Sequence, residues 1–139
     1  MGLFDWLFGS KQAATRATVL GSGYYDHDIV GEANYQDALN DICGGKTDDG
    51  HEHECMALLI EEPTNQYDRN AVKVTISGQT VGYLSRGDAV AYKRALAAAG
   101  LSGKAAQVDA VIVGGWERGR RGSGHYGVKI DMEMPPQFG

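Results

Sequence analysis

The sequence predicts a mainly β domain of the α+β class, because several strand-like stretches and two helix-like stretches share one small hydrophobic core. That set of elements suggests a small OB- or SH3-like β-barrel with two helices. The 139 residues favour a single domain. The 20 glycines favour a turn-rich β architecture over a helical bundle.

The first half of the predicted domain holds three extended segments and one helix. The helix is predicted because Ala38, Leu39, Ile42 and Cys43 share one face and two glycines follow them. The third extended segment is apolar enough at its centre to be buried on both faces. The predicted bounds are 17–20, 24–33 and 54–61 for the extended segments, 35–43 for the helix and 46–53 for a polar acidic loop.

The second half holds a hairpin, a helix and two further strands. Val72, Val74 and Ile76 alternate with polar residues, and a glycine turn leads into the second hairpin strand. Ser85 is predicted to cap the helix that follows, with Asp88 completing a capping box. The predicted bounds are 81–84 for that strand, 86–99 for the helix, 107–113 and 125–134 for the remaining strands, and 116–124 for a flexible basic loop.

A polar turn over 65–71, with the sequence Asn-Gln-Tyr-Asp-Arg-Asn-Ala, runs directly into the hairpin. It holds Tyr67 and Asp68 at the mouth of a rigid strand pair, which suits a small polar recognition site on a β scaffold. A purely structural interpretation stays open, because Asn and Asp are common turn formers and Tyr67 could cover the core.

This turn, together with the Val-Gly-Tyr-Leu stretch over 81–84, resembles the HIRAN domain, a small β-barrel module. Weaker matches occur at 30–31 and 58–62, so the resemblance covers roughly residues 25–116. It implies a barrel domain over 17–134, with an apolar N-terminal segment and linker over 1–16 and a tail over 135–139. It also implies a module that binds the 3′ end of single-stranded DNA in repair or replication-associated processes.

The resemblance implies roles for the residues of the turn. Tyr67 would stack on the terminal base, and Asp68 would accept a hydrogen bond from the free 3′-hydroxyl while repelling a 3′-phosphate. Asn65 and the backbone amides of the turn would hold the adjacent phosphate. By position, Tyr83 and Arg86 match family residues that contact the strand.

Further contacts are predicted outside the turn. Lys73 lies beside the turn on the polar face of the hairpin and would contact a phosphate, and Trp116 is a second candidate stacking surface. DNA-binding members of the family carry an arginine and an aromatic residue shortly after Val-Gly. This chain instead has Glu32-Ala33-Asn34, with Tyr35 one place later. The basic loop is predicted to replace the missing charge through Arg118, Arg120 and Arg121.

The charge is unevenly distributed along the chain, although its net value is −5. Residues 69–130 carry ten basic and three acidic side chains, whereas residues 1–68 carry three basic and thirteen acidic ones. Phosphate binding depends on local potential more than on the total, so the second half is compatible with nucleic acid. Ordinary solvated surface charge is the alternative.

Two cysteines are too few for a disulfide framework. Together with two nearby histidines, however, they make a set of four side chains of the types that bind zinc. Their spacing matches no known zinc ribbon or finger, so unlinked residues are the default prediction and zinc is the lesser alternative. The four candidate ligands are Cys43, His51, His53 and Cys55.

The sequence predicts a binding protein and not an enzyme, with no cofactor. It has no P-loop, no catalytic triad with supporting motifs, and no helicase motor motif. In larger HIRAN proteins this domain accompanies a helicase-type motor, so the resemblance implies a helicase or nuclease acting in trans as a candidate protein partner. A second hypothesis is a protein-interaction adaptor, docked through the apolar segment over 1–9. We expect an intracellular, cytoplasmic location and no stable membrane insertion, because no secretory signal or membrane-spanning stretch is present.

Overall fold

The structure is a computed structural model, and it describes residues 17–139. The predicted N-terminal segment and linker over 1–16 therefore lie outside the described residues, as does the docking role assigned to residues 1–9. Between residues 17 and 139, two α-helices and two short 3-10 helices, Glu32–Tyr35 and Gly119–Arg121, accompany seven strands. The α-helices are α1 (Gln36–Cys43) and α2 (Arg86–Ala98). The strands are β1 (Ala17–Thr18), β2 (His27–Asp28), β3 (His51–Glu61), β4 (Val72–Ile76), β5 (Gln79–Tyr83), β6 (Ala106–Gly114) and β7 (Tyr126–Ile130).

The seven strands form one strongly curled sheet in the order β2-β7-β6-β3-β4-β5, and β1 pairs in parallel with β6. All other strand pairs are antiparallel. The long β3 is central, because it pairs with β6 from His51 to Leu59 and with β4 from Ala57 to Glu61. The curled sheet makes a half-barrel, which confirms the predicted mainly β, barrel-like α+β fold with two helices.

The segment after β2 joins the two ends of the sheet. β2 pairs with β7, and two residues later Val30 forms a bridge with Tyr83 of β5. The neighbouring Gly82 permits this approach, because a Cβ there would lie 2.7 Å from the Val30 carbonyl oxygen and 2.8 Å from Ile29 Cδ1. The glycine of the Val-Gly-Tyr-Leu stretch therefore has a packing function.

The core lies inside the curled sheet, with α2 packed against it. On β4 the predicted apolar face is buried at Val72, Val74 and Ile76, and alternation buries one face of β6 as well. β3 differs from the prediction, because it is buried on one face only and Met56 on its other face is 49% exposed. That exposed face forms part of the outer surface of the sheet.

Only one of the two hydrogen bonds of the capping box predicted for α2 is present. Ser85 Oγ accepts a hydrogen bond from the backbone N–H of Asp88 at 3.2 Å. The Asp88 carboxylate does not return to the cap residue; its Oδ2 lies 2.9 Å from His27 Nε2. The side chain that would complete a capping box thus ties the start of α2 to β2.

The C-terminal residues belong to the fold, which corrects the prediction of a tail over 135–139. Val19 and Phe138 form an antiparallel bridge. The backbone N–H of Gly139 donates to the carbonyl of Thr18 at 2.9 Å. The Phe138 ring packs edge-on against the buried ring of Tyr92, with centroids 5.9 Å apart. Between residues 17 and 139, neither helix is long and apolar enough to cross a bilayer.

Candidate functional site

A cavity of about 420 Å³ lies beside the mouth of the β4–β5 hairpin. Four separate segments supply its walls: the residues after β2, the turn before β4, the end of β5 and the first residue of α2. We call this cavity the Tyr67 pocket. It is lined by Val30, Asn34, Tyr35, Asn65, Tyr67, Asp68, Ala71, Tyr83, Leu84 and Arg86. The structure therefore brings together five of the predicted site residues.

Asn65 shapes the turn through its side chain. Its Oδ1 accepts hydrogen bonds from the backbone N–H of Tyr67 at 2.9 Å and of Asp68 at 3.0 Å. Asp68 Oδ1 in turn accepts from the N–H of Asn70 at 2.9 Å. These are the local side-chain-to-backbone bonds that Asn and Asp typically make in turns. They correct the expectation that these amides hold a phosphate, because the turn itself uses them. The same expectation for Asn65 stays a prediction.

The Tyr67 ring projects into solvent and is 80% exposed. The alternative in which Tyr67 covers the hydrophobic core is therefore wrong. A second cavity of about 410 Å³ lies along the turn over 63–69, and Tyr67 and Asp68 line both cavities. An exposed ring on a turn fixed by hydrogen bonds is available for stacking.

Glu62 organises the polar side of the site, although sequence reasoning missed it. Its Oε1 accepts hydrogen bonds from the Tyr83 hydroxyl at 2.9 Å and from Asn65 Nδ2 at 3.0 Å. Its Oε2 lies 3.6 Å from Lys73 Nζ. The hydrogen bond from Asn65 lowers the pKa of the Glu62 carboxyl most, and the contacts with Tyr83 and Lys73 lower it further. Burial and the bond to Glu62 raise the pKa of Tyr83.

The strand register contains the signal that identifies Glu62. Lys73 pairs with Ile60 on β3 and with Tyr83 on β5. Glu62 lies two residues beyond Ile60, so it points to the same face of the sheet as Lys73 and Tyr83. Diagonal neighbours of opposite charge on one face attract each other. The sequence alone does not fix the register.

The second aromatic wall comes from Tyr35, which was not among the predicted site residues. Its ring and the Tyr83 ring lie 6.4 Å apart between centroids, with planes tilted by 45°. The 3-10 helix Glu32–Tyr35 brings Tyr35 to the pocket. The same helix turns Glu32 toward β7, where its Oε2 accepts from the N–H of Val128 at 3.3 Å. Glu32 does not line the pocket.

The two predicted cations beside the pocket have different environments. Arg86, at the start of α2, is exposed, and its guanidinium forms no ion pair with any residue between 17 and 139. Lys73 is half-buried and pairs with Glu62, and it does not line the pocket. Of these two cations, Arg86 is therefore the one that lines the pocket and has no ion-pair partner among residues 17–139.

Trp116 and the basic loop lie near the other end of β3 from the Tyr67 pocket. Thr47, before β3, bridges to Trp116, whereas Glu61 at the far end pairs with Val72. The ten-residue step between the ends of β3 corresponds to roughly 33 Å of strand. The Arg118 guanidinium carbon lies 4.6 Å from the centroid of the Trp116 ring. Trp116, Arg118, Arg120 and Arg121 do not line the Tyr67 pocket.

The predicted zinc ligands are not assembled into a site. Among residues 17–139 no group of three or more His, Cys, Asp and Glu side chains is arranged to hold a metal ion. His51 and Cys55 are four residues apart on β3, about 13 Å along the strand. His51 Nδ1 lies 3.0 Å from the Gly114 carbonyl, and burial raises the pKa of the Cys55 thiol to about 11. Burial also raises the pKa of Cys43.

Comparison of the chain with protein-family models, with curated proteins and with solved structures gave no match. The resemblance to the HIRAN domain therefore stays a prediction, and the site is interpreted from its own geometry.

Proposed function

We propose that the Tyr67 pocket binds the 3′-hydroxyl end of single-stranded DNA. One observation carries the proposal: side chains from four separate segments surround one cavity of about 420 Å³, and an aromatic ring that is 80% exposed stands at its edge. The HIRAN resemblance predicted five of these side chains from the sequence. A cavity of this size lies within the range of small-molecule and nucleotide sites.

Aromatic rings supply the stacking surfaces. Tyr67 offers a flat, exposed face to a terminal base, and the tilted Tyr35–Tyr83 pair lines the same pocket. Stacking of a base on an aromatic side chain contributes about 1–3 kcal/mol and does not depend strongly on the base. This arrangement favours recognition of a strand end over recognition of a sequence.

Asp68 supplies the preference for a hydroxyl terminus. Its Oδ1 is bonded to the Asn70 amide, and no residue between 17 and 139 donates to its Oδ2. That oxygen accepts a hydrogen bond from a free 3′-hydroxyl, whereas a 3′-phosphate in the same place meets a like charge.

Arg86 supplies the cation for the adjacent phosphate. Its guanidinium is exposed at the start of α2, where the positive end of the helix dipole also favours an anion. Lys73 makes a smaller contribution because Glu62 already neutralises its charge. The proposed setting is DNA repair or replication, with a helicase or nuclease acting in trans.

Fluorescence anisotropy with a 5′-labelled single-stranded oligonucleotide tests the proposal. Wild type should bind at low salt, and Tyr67→Ala should weaken binding by about 1–3 kcal/mol, which is about 5- to 150-fold in Kd. Tyr24→Ala is the matched control, because Tyr24 is also 80% exposed and does not line the pocket. It should change Kd by less than about twofold.

Two outcomes contradict the proposal: wild type that does not bind at low salt, and equal losses in the two tyrosine variants. Arg86→Gln should reduce the slope of log K against log salt by about 1, because one phosphate contact disappears. Joint neutralisation of Arg118, Arg120 and Arg121 tests the predicted role of the basic loop. If this triple variant keeps the wild-type affinity and the wild-type salt slope, the basic loop does not contact the DNA.

A further inference from the structure

A groove of about 670 Å³, separate from the two cavities described above, crosses the outer face of the sheet. We call it the outer groove; it shares no residue with the Tyr67 pocket. Tyr24 and Tyr25 form one wall, and Glu52 and Glu54 of β3 form the other. The floor consists of Val111 and Val113 of β6.

The tyrosine wall is held in place by a buried carboxylate. Asp131 Oδ2 accepts a hydrogen bond from the backbone N–H of Gly23 at 2.9 Å, and its Oδ1 lies 3.4 Å from the N–H of Tyr25. Gly21 packs directly against Asp131, where a side chain would not fit. The Tyr25 hydroxyl also donates to Glu54 Oε1 at 3.2 Å. The groove is therefore formed before any ligand arrives, which lowers the entropic cost of binding.

The groove has an unbalanced negative charge. Glu52 and Glu54 are exposed, and neither forms an ion pair with a residue between 17 and 139. Lys129 also lines the groove, but its Nζ lies 2.7 Å from Asp28 Oδ1 and is neutralised there. Asp109 adds an exposed carboxylate on the neighbouring strand. This charge repels nucleic acid phosphates and attracts cations.

We propose that the outer groove binds an arginine-bearing segment of a partner protein. The exposed face of Tyr24 suits a cation–π contact with a guanidinium group. Glu52 and Glu54 project from the same strand face, about 7 Å apart, and can accept its N–H donors. The valine floor can pack against the methylene stem of the arginine side chain.

The same features argue against other ligands. A metal ion is disfavoured because residues 17–139 contain no group of three or more ligating side chains arranged to hold one. At about 670 Å³ the groove has room for more than one side chain, which fits an extended peptide segment. Because the groove and the Tyr67 pocket have no residue in common, the two sites can be occupied together.

The test uses a fluorescein-labelled Gly/Ser peptide with arginine at every third position, and a second peptide with neutral citrulline in place of arginine. Wild type should bind the arginine peptide at low salt. Its affinity for the citrulline peptide should be lower by about tenfold or more. The double variant Glu52→Gln/Glu54→Gln should lose about tenfold in affinity, and Tyr24→Ala several-fold.

The control is Asp37→Asn/Glu133→Gln, which removes the same number of charges at exposed positions outside the groove. It should bind within about twofold of wild type. Circular dichroism melting verifies that each variant is folded. Three results would overturn the proposal: no binding to wild type, equal binding of the two peptides, or a loss in the control equal to the loss in the groove variant.

Discussion

Substitution of Glu62 tests whether one carboxylate organises the Tyr67 pocket. Glu62→Ala removes the acceptor for the Tyr83 hydroxyl and for Asn65 Nδ2, and the ion-pair partner of Lys73. Glu62→Gln keeps an acceptor oxygen and a similar volume but removes the charge. The two substitutions separate the effect of the hydrogen bonds from the effect of the charge.

The expected loss follows from the contacts. A hydrogen bond to a charged group contributes about 1.5–3 kcal/mol, and Glu62 accepts two. Because 26% of the side chain stays exposed, solvent screening places each bond at the lower end. We therefore expect Glu62→Ala to lower the free energy of unfolding by about 2–3 kcal/mol at neutral pH, and Glu62→Gln by about 1 kcal/mol.

The pH dependence of the Glu62→Gln effect has a defined sign. The pKa of Glu62 is lowered in the folded protein from its ordinary value of 4.5. A lowered carboxyl pKa stabilises the fold above the unfolded value, and this contribution disappears as the pH falls through the folded pKa. The difference between wild type and Glu62→Gln should be constant above about pH 5 and shrink as the pH falls below about 4.5. The titration of Asp28, whose pKa is also lowered, cancels in this difference.

Urea denaturation followed by circular dichroism measures these free energies. Glu52→Gln is the control, because Glu52 is an exposed glutamate on β3, the strand that ends just before Glu62, and it forms no ion pair among residues 17–139. It should change the free energy of unfolding by less than about 0.5 kcal/mol. Glu62 does not organise the pocket if Glu62→Ala is as stable as wild type, or if the Glu62→Gln difference persists unchanged at acid pH.

Two further predictions concern the stability of α2, both measured by urea denaturation. Ser85→Ala should lower the free energy of unfolding by about 1 kcal/mol, because it removes the cap bond to the Asp88 amide. The control Ser102→Ala, in an exposed loop, should leave it unchanged. Equal losses in the two variants would exclude the cap as the cause. Tyr92→Phe should be neutral or stabilising by up to about 1 kcal/mol, because the buried Tyr92 hydroxyl has no hydrogen-bond partner among the described residues. A loss above about 1 kcal/mol would instead reveal a partner such as a buried water.

Local patterns predicted the elements that depend on local physics. The alternation of Val72, Val74 and Ile76 identified β4, and Ser85 identified the start of α2. The polar turn was recognised because Asn and Asp form such turns through their own side chains, as Asn65 does here. These signals require no knowledge of distant contacts.

The features that were missed depend on long-range contacts. Glu62 could be identified only from the strand register, which places it on the sheet face that Lys73 and Tyr83 share. Tyr35 was predicted to begin the helix over 35–43, but it ends a 3-10 helix, Glu32–Tyr35, that precedes α1 and brings it to the pocket. The C-terminal residues pair with the region of β1 through backbone hydrogen bonds, which leave no pattern in the side chains. Zinc was only the lesser alternative for the two cysteines and two histidines, and among residues 17–139 no group of three or more such side chains is arranged to hold a metal ion.

Binding of a strand terminus by Tyr67 and Asp68 together, as proposed, is tested most directly by one measurement. Kd is measured for oligonucleotides ending in a 3′-hydroxyl or a 3′-phosphate, with wild type and with Asp68→Asn. This variant keeps an oxygen to accept the bond from the Asn70 amide but removes the charge.

Like charges about 4 Å apart repel by about 1 kcal/mol in water and more near a protein surface. Wild type should therefore prefer the hydroxyl end by about fivefold or more. In Asp68→Asn the two ends should bind with nearly equal affinity. Equal affinity of wild type for both ends, or an undiminished preference in Asp68→Asn, would contradict the claim.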